Sequence, residues 1–243
     1  MGKYILSLFL TFTVLACHAQ FNDTTHYYVG FNSSGSINRT QDGSSYLLNN
    51  ALKFSEKNKR SILNFNNNWI YGKSNSSLTN NDFTTSLDFD LYRTFPNFYY
   101  WGLATYTTSY SLKIKDQLLT GVGIAYYLVN KKNAMFNISD GFLYDKSNLM
   151  LNDTTRDNYH TYRNSFRILF RFVIKDIVVI DGSDFIQNSV QYKNDYIFRS
   201  TTNLSVKLRK WLSFTTSLNY NRMNRTRAEN TLLTYGLTAE KYF

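Results

Sequence analysis

The chain has 243 residues, a formal net charge of +10, 20 Tyr, 19 Phe and a single Pro. Tyr and Phe favour strands and proline is excluded from ladder positions, so this composition favours an all-β fold. Past the first nineteen residues no apolar run reaches the roughly 20 residues of a transmembrane helix. The basic residues are dispersed, which argues against nucleic acid as a partner.

The N-terminal residues are typical of a secretory signal peptide. Lys3 supplies a positive charge, an uncharged apolar run follows at 4–15, and Ala19 ends a small-residue cleavage site. We therefore predict a signal peptide over 1–19 and a mature chain over 20–243. The alternative is a lipoprotein signal with Cys17 lipidated after cleavage. Cleavage after Ala19 would remove the only cysteine, so the mature chain would form no internal disulfide.

Apolar and polar residues alternate with period 2 at near-regular spacing along the rest of the chain. Side chains two residues apart share one face of a strand, and the clearest case runs from Leu212 to Tyr220. About twelve strands are predicted in this way: 27–36, 44–56, 60–74, 83–94, 99–109, 116–128, 134–146, 159–173, 177–192, 196–209, 212–222 and 231–243.

The last segment ends on Phe243 and is amphipathic, with Lys241 as the one charge on its apolar face. Such a final strand is how bacterial outer-membrane β-barrels end, and there it serves as a signal to the barrel-assembly machinery. Together with an export signal, it predicts a single antiparallel transmembrane β-barrel of about 12 strands in the bacterial outer membrane. The predicted domain is the whole mature chain, 20–243.

The predicted connections alternate in length. Short ones are expected at 57–58, 95–97, 130–133, 175–176 and 210–211, and longer polar ones at 75–82, 147–158 and 223–230. Outer-membrane barrels have short periplasmic turns and long outer loops, so both termini should lie on the periplasmic side. The connection at 193–195 does not fit, because it is short where an outer loop is due.

Several motifs resemble a known family. Tyr71-Gly-Lys-Ser-Asn-Ser-Ser-Leu-Thr-Asn-Asn-Asp-Phe83 leads into Leu87-Asp-Phe-Asp90, Tyr100-Trp-Gly102 and Gly121-Val-Gly123-Ile-Ala-Tyr-Tyr-Leu128. This order resembles the YdiY-like outer-membrane proteins, domain of unknown function 481, sometimes called salt-induced outer-membrane proteins. The resemblance continues over 159–171 and 192–211. It implies a location and a fold, but no catalytic residues, because the family has no settled biochemical function.

Charged residues on the inward faces of the strands are the candidate functional residues. Arginine at lipid depth costs about 2–4 kcal/mol, so the face that alternates with Phe166, Ile168 and Phe170 must be the inward one. The lumen-facing charged residues predicted by this logic are Lys53, Asp88, Asp90, Arg163, Arg167, Arg171, Arg199 and Lys207.

Two functions are compatible with these charges. Asp88 and Asp90 could pair with Arg167 and Arg171, which would brace a blocked lumen in an envelope-structural barrel. Alternatively, the excess positive charge could line a narrow passive pore for small anionic solutes. Barrels of about eight strands are filled and those of 16–18 enclose a channel, so a strand number of twelve does not decide.

Other chemistry has little support in the sequence. Only His26 and His160 remain after signal removal, so we predict no metal site and no cofactor. A lipid hydrolase, the remote alternative, would need a Ser–His pair at the outer lipid face. No serine stands two positions from His160 on the same strand face, so we predict that the protein is not an enzyme.

A small basic cluster flanks the last predicted outer loop. Arg222, Arg225 and Arg227 could either solubilise this loop or bind phosphate groups of lipopolysaccharide. Outer-membrane lipids and lipopolysaccharide are therefore the predicted partners, together with the barrel-assembly machinery at Phe243.

Overall fold

The computed structural model describes residues 26–41, 43–92, 95–152 and 155–243, so the predicted signal peptide and Cys17 lie outside the described residues. No helix in these ranges is long and apolar enough to cross a membrane. The strands are β1 (Tyr27–Arg39), β2 (Ser44–Lys57), β3 (Ser61–Ser74), β4 (Ser77–Leu91), β5 (Phe98–Ser109), β6 (Ile114–Lys131), β7 (Ala134–Met150), β8 (Arg156–Ile174), β9 (Val178–Ser189), β10 (Tyr196–Arg209), β11 (Leu212–Met223) and β12 (Ala228–Tyr242).

These strands form one closed antiparallel barrel, in which each strand pairs with its neighbours in the chain and β12 pairs with β1. At the seam, the amide of Tyr27 donates to the carbonyl of Phe243 at 2.8 Å, and the amide of Phe243 donates back to the carbonyl of Tyr27 at 3.0 Å. Closure leaves no unpaired edge, which is the condition for a β-structure to span a membrane. The predicted twelve-strand antiparallel barrel is confirmed.

The barrel wall has an apolar outer face and a largely polar inner face. Large hydrophobic side chains are exposed all around the outside, on strands from β1 to β12. They include Phe31, Leu52, Phe65, Leu87, Ile124, Phe166, Leu204, Phe214 and Leu237. Most of the buried polar side chains point inward, among them serine, threonine, asparagine and glutamine. This arrangement is inverted relative to a soluble protein and is the one expected where lipid surrounds the wall.

We call the end of the barrel that carries residues 27 and 243 the termini end, and the opposite end the loop end. The predicted loop-end connections at 75–82, 147–158 and 223–230 were too long. The strands continue through much of these segments, so that only 75–76, 151–155 and 224–227 connect them. The error has a physical cause. Asn, Ser and Thr are typical loop residues, but the hydrogen bonds of a ladder come from the backbone, so these residues can also continue a strand.

The β3–β4 connection illustrates the tight hairpins of the loop end. Asn75 and Ser76 have φ of 48° and 68°, as in the two-residue turns that match the twist of paired strands. The Asn75 side chain also accepts a hydrogen bond from the amide of Ser44 at 2.9 Å, which ties this turn to β2.

Candidate functional site: a plug and a vestibule in the lumen

Arg163 lies at the centre of the loop-end half of the lumen. The inward face of β8 places its side chain, which is fully buried, between two buried carboxylates. Its Nε donates to Asp145 at 2.6 Å, and its Nη2 donates to Asp195 at 3.0 Å and to the hydroxyl of Tyr159 at 2.6 Å. A buried guanidinium is stable only with such compensation, so these four residues form one charge-paired unit.

Gln117 and Arg199 extend this unit across the lumen. The amide of Gln117, on β6, donates to Asp145 at 3.1 Å and to Ser147 at 2.9 Å. Arg199, on β10, donates to the side-chain oxygen of Gln117 at 3.3 Å. Because β6 and β10 are not neighbours in the barrel, this contact links two separate parts of the wall.

Arg225 covers the unit from the turn at 224–227. Its Nε donates to Asp157 at 2.6 Å, and its guanidinium lies 3.8 Å from the ring centroid of Tyr159 and 4.7 Å from that of Tyr192. Burial lowers the pKa of the guanidinium, but the hydrogen bond to Asp157 and the charge of that carboxylate raise it above its usual range overall. The turn is thereby held over the lumen by a charged side chain.

An apolar cluster closes the same end. It consists of Leu112, Ile114, Leu149, Tyr159, Ile197 and Met223, all buried. Thr226 fixes the last turn to this cluster, since its hydroxyl donates to the carbonyl of Leu112 at 3.1 Å. We refer to the charge-paired unit, its Gln117, Arg199 and Arg225 contacts and this cluster together as the loop-end plug.

The predicted basic cluster does not form one surface. Arg222 is exposed on β11, 3.6 Å from Glu229, and Arg227 is exposed in the following turn. Arg225 instead points toward the lumen and joins the plug. These three arginines lie at the end of β11 and in the turn that follows it, where their side chains point in different directions, and the sequence alone could not distinguish them.

Arg167 packs against an aromatic surface further down the lumen. Its Nε donates to Ser139 at 3.0 Å, and its guanidinium lies 5.5 Å from the ring of Trp101. The indole of Trp101 lies next to Gly123 and Gly141, a directly opposed pair on β6 and β7. A Cβ at either glycine would overlap the indole, so the two glycines make room for it.

The predicted pairing of β4 carboxylates with β8 arginines does not occur within the described ranges. Asp88 accepts hydrogen bonds from Asn66 at 3.2 Å and Ser86 at 3.3 Å. Arg171 has its ion pair with Asp181, at 3.8 Å, which is its directly opposed residue on β9. Directly opposed residues on adjacent strands are within about 5.5 Å of one another, so Arg171 has a carboxylate close by on β9. Asp90 also faces inward.

The termini-end half of the lumen contains a cavity of about 460 Å³, which we call the vestibule. It reaches the termini end, where Tyr28 and Ser213 line it one residue from the strand ends. The charged residues in its lining are Lys53, Arg171, Asp181, Lys207 and Glu240. Most of the remaining lining is Asn, Ser and Thr, so this part of the lumen is polar and spacious.

The described residues include no group of three or more His, Cys, Asp or Glu side chains able to hold a metal ion. His160 lies exposed on the outer face, with its ring 6.3 Å from that of Tyr144.

Residues 36–240 match the model of a family described as protein of unknown function, DUF481. The chain belongs to this family. The resemblance predicted from the motifs is thus confirmed. No curated protein matches the chain.

Solved structures with the same fold are outer-membrane barrels. The NanC porin is 11% identical, with 88% of this chain and 99% of that chain covered and a TM-score of 0.53. An outer membrane channel from Pseudomonas putida F1 is 9% identical, with 95% and 100% covered and a TM-score of 0.54. At these identities the likeness concerns the fold alone. With its closed wall and apolar outer face, this DUF481 protein is a β-barrel of the bacterial outer membrane.

Proposed function

We propose that the protein is an envelope-structural barrel whose lumen is blocked at the loop end by the plug, and that it has no enzymatic activity. The observation that carries this proposal is the full burial of Arg163 between Asp145 and Asp195. A solute that crossed here would have to separate these charges, and breaking a buried pair costs about 3–5 kcal/mol.

Conductance in planar lipid bilayers tests the proposal. The purified, refolded protein should show no steady conductance, and a steady conductance in the parent would refute a blocked lumen. Removing both charges together, in Arg163→Ala with Asp145→Ala, should open the loop end and produce channel events. The matched control removes the Arg171–Asp181 pair in the same way. It should remain silent, because this pair lies in the vestibule and not in the plug.

A second candidate function is passive permeation of small anions, and the vestibule favours it. Lys53, Arg171 and Lys207 outnumber the carboxylates of Asp181 and Glu240 in its lining. A pore with this lining should prefer anions. If the parent conducts, the reversal potential in a KCl gradient should report anion preference, and Lys53→Gln with Lys207→Gln should reduce it. A cation preference would contradict this candidate.

We also propose two partners. The barrel-assembly machinery would recognise β12 through Phe243, whose ring stacks 6.0 Å from that of Tyr27 on the outer wall. Phe243→Ala keeps the backbone seam, so it should refold in detergent as the parent does but assemble poorly in cells.

Lipopolysaccharide is the second proposed partner. Its phosphates would contact Arg222 and Arg227, which are exposed toward the loop end. Replacing both by Gln should weaken co-purification of lipopolysaccharide, and unchanged co-purification would contradict this contact.

A further inference from the structure

We propose that the vestibule is a binding site for a small polyhydroxylated carboxylate, such as a sugar acid, that enters from the termini end. Binding there requires no passage through the barrel, so the proposal holds whether or not the lumen conducts. It concerns a ligand that neither a blocked barrel nor a passive pore requires.

Two lysines carry positive charge into the vestibule without a direct ion pair among the described residues. Arg171 is paired with Asp181 at 3.8 Å, and the hydroxyl of Tyr28 lies 3.5 Å from Glu240. By contrast, neither Lys53 nor Lys207 has a carboxylate within 4.0 Å among the residues that the structure describes. Strands β2 and β10 carry these lysines into the same cavity from separate parts of the wall. A bound anion would supply the missing ion pair to a lysine of this kind.

Two asparagines in the same lining have unused hydrogen-bonding capacity. The side-chain oxygens of Asn49 and Asn68 are buried and have no hydrogen-bond partner among the residues that the structure describes. Leaving a buried polar group unsatisfied costs about 1–3 kcal/mol, and an acceptor of this kind needs a donor such as a hydroxyl group. No other side-chain oxygen or nitrogen in the described lining is both buried and without a hydrogen-bond partner. Ser205 bonds to Thr215 at 2.9 Å, for example.

These groups surround a gap at Ala51. Asn49, Ala51 and Lys53 follow one another along the inward face of β2, and Asn68 is directly opposite Ala51 on β3. Residues two apart on a strand face are separated by about 7 Å, and directly opposed residues by about 5 Å. The small Ala51 side chain thus leaves a recess with two hydrogen-bond acceptors and one ammonium group on its rim.

The recess defines the chemistry of its ligand. An anion without hydroxyl groups would satisfy Lys53 but would offer Asn49 and Asn68 no donor. A neutral sugar would satisfy the two amides and leave the lysine without an ion pair. A molecule with a carboxylate and neighbouring hydroxyl groups satisfies all three. The cavity of about 460 Å³ lies within the size range of small-molecule sites.

Isothermal titration calorimetry on the refolded mature chain in detergent micelles tests the proposal. D-Glucuronate should bind, and D-glucose and propionate should each bind at least tenfold more weakly at equal ionic strength. Inorganic phosphate that bound as tightly as glucuronate would overturn the hydroxyl part of the argument. The absence of any glucuronate binding would overturn the whole proposal.

Paired variants locate the site. Lys53→Gln should weaken glucuronate binding at least tenfold, and Ala51→Leu should abolish it by filling the recess. The matched controls are Lys241→Gln and Ala239→Leu, which change the outer face of β12 near the same end and should leave the affinity unchanged. Heat-modifiable gel migration verifies folding of each variant. Unchanged affinity in folded Lys53→Gln would overturn the proposal even if Ala51→Leu failed to fold.

Discussion

The two halves of the lumen are built from the same strands, yet they accommodate inward charges in opposite ways. At the loop end, Arg163 is fully buried and bonded to carboxylates 2.6 and 3.0 Å away. At the termini end, Arg171 stands 3.8 Å from Asp181, and the two side chains remain 43% and 33% exposed. Large side chains fill the first half, whereas Ala, Ser, Thr and Asn leave space in the second. Side-chain volume on the inward face thus decides between a plug and a vestibule.

The largest difference between the halves should appear when one arginine is removed from each. Arg163→Met leaves the fully buried carboxylate of Asp145 without its ion pair and should lower the free energy of unfolding by about 3–5 kcal/mol. Arg171→Met, on the same strand, should lower it by only about 0–1 kcal/mol, because its pair is exposed to water. Urea titration in lipid vesicles measures both. Equal losses would mean that the two halves do not differ in dielectric environment.

A smaller effect is expected where glycine accommodates Trp101. Gly123→Ala places a methyl group into the indole and should destabilise the barrel by about 1–3 kcal/mol, as overpacking does. Gly102→Ala is the control on the adjacent strand, since its Cβ would come no closer than 4.0 Å to any neighbouring atom. The temperature at which the folded gel band disappears reports both changes. A neutral Gly123→Ala would show that the indole can shift.

A third variant examines the cover of the plug. Arg225→Gln removes the ion pair with Asp157 and the stacking on Tyr159, and should cost about 1–2 kcal/mol at this partly exposed position. Arg227→Gln, two residues further in the same turn, should cost nothing measurable by the same titration. If both variants behaved alike, Arg225 would not hold the turn over the lumen.

The last prediction concerns accessibility and expects little change in stability. Ser217→Cys lies in the vestibule, and Ser165→Cys points into the lumen nearer the loop end, where it is 4% exposed. Residues 20–243 contain no other cysteine. A water-soluble maleimide should modify Ser217→Cys much faster than Ser165→Cys. Similar rates would mean that water reaches both halves of the lumen equally.

Much of the fold could be predicted because a barrel imposes one simple rule on its strands. Alternation with period 2 identifies twelve strands, and the high cost of arginine in lipid indicates which face of β8 points inward. Alternation along β7 also predicts that Asp145 faces the lumen, because Asp145 lies two residues after Leu143 on the inward face of that strand. Asp145 lies within the predicted strand at 134–146, so this placement could have been made from the sequence.

The contacts between side chains in the lumen could not be predicted from alternation. Which inward charges become neighbours is determined by the register between strands, and a shift of one residue would exchange the two faces. Asp195 reaches Arg163 only because the connection before β10 brings it over the lumen. The recess at Ala51 was equally hidden, since it arises from a missing side chain and not from a motif.

Pairing β1 with β12 at the seam costs more chain entropy than forming the other strand pairs of the barrel. The strand pairs other than this one join neighbours in sequence and can form as local hairpins, whereas Tyr28 and Glu240 at the seam are 212 residues apart. The cost of closing a loop grows with the logarithm of its length, so this pairing costs about 2 kcal/mol more than closing a hairpin of about 15 residues. Folding should therefore proceed as a growing sheet with two free edges. The slowest step should be the pairing of these two edges, β1 and β12.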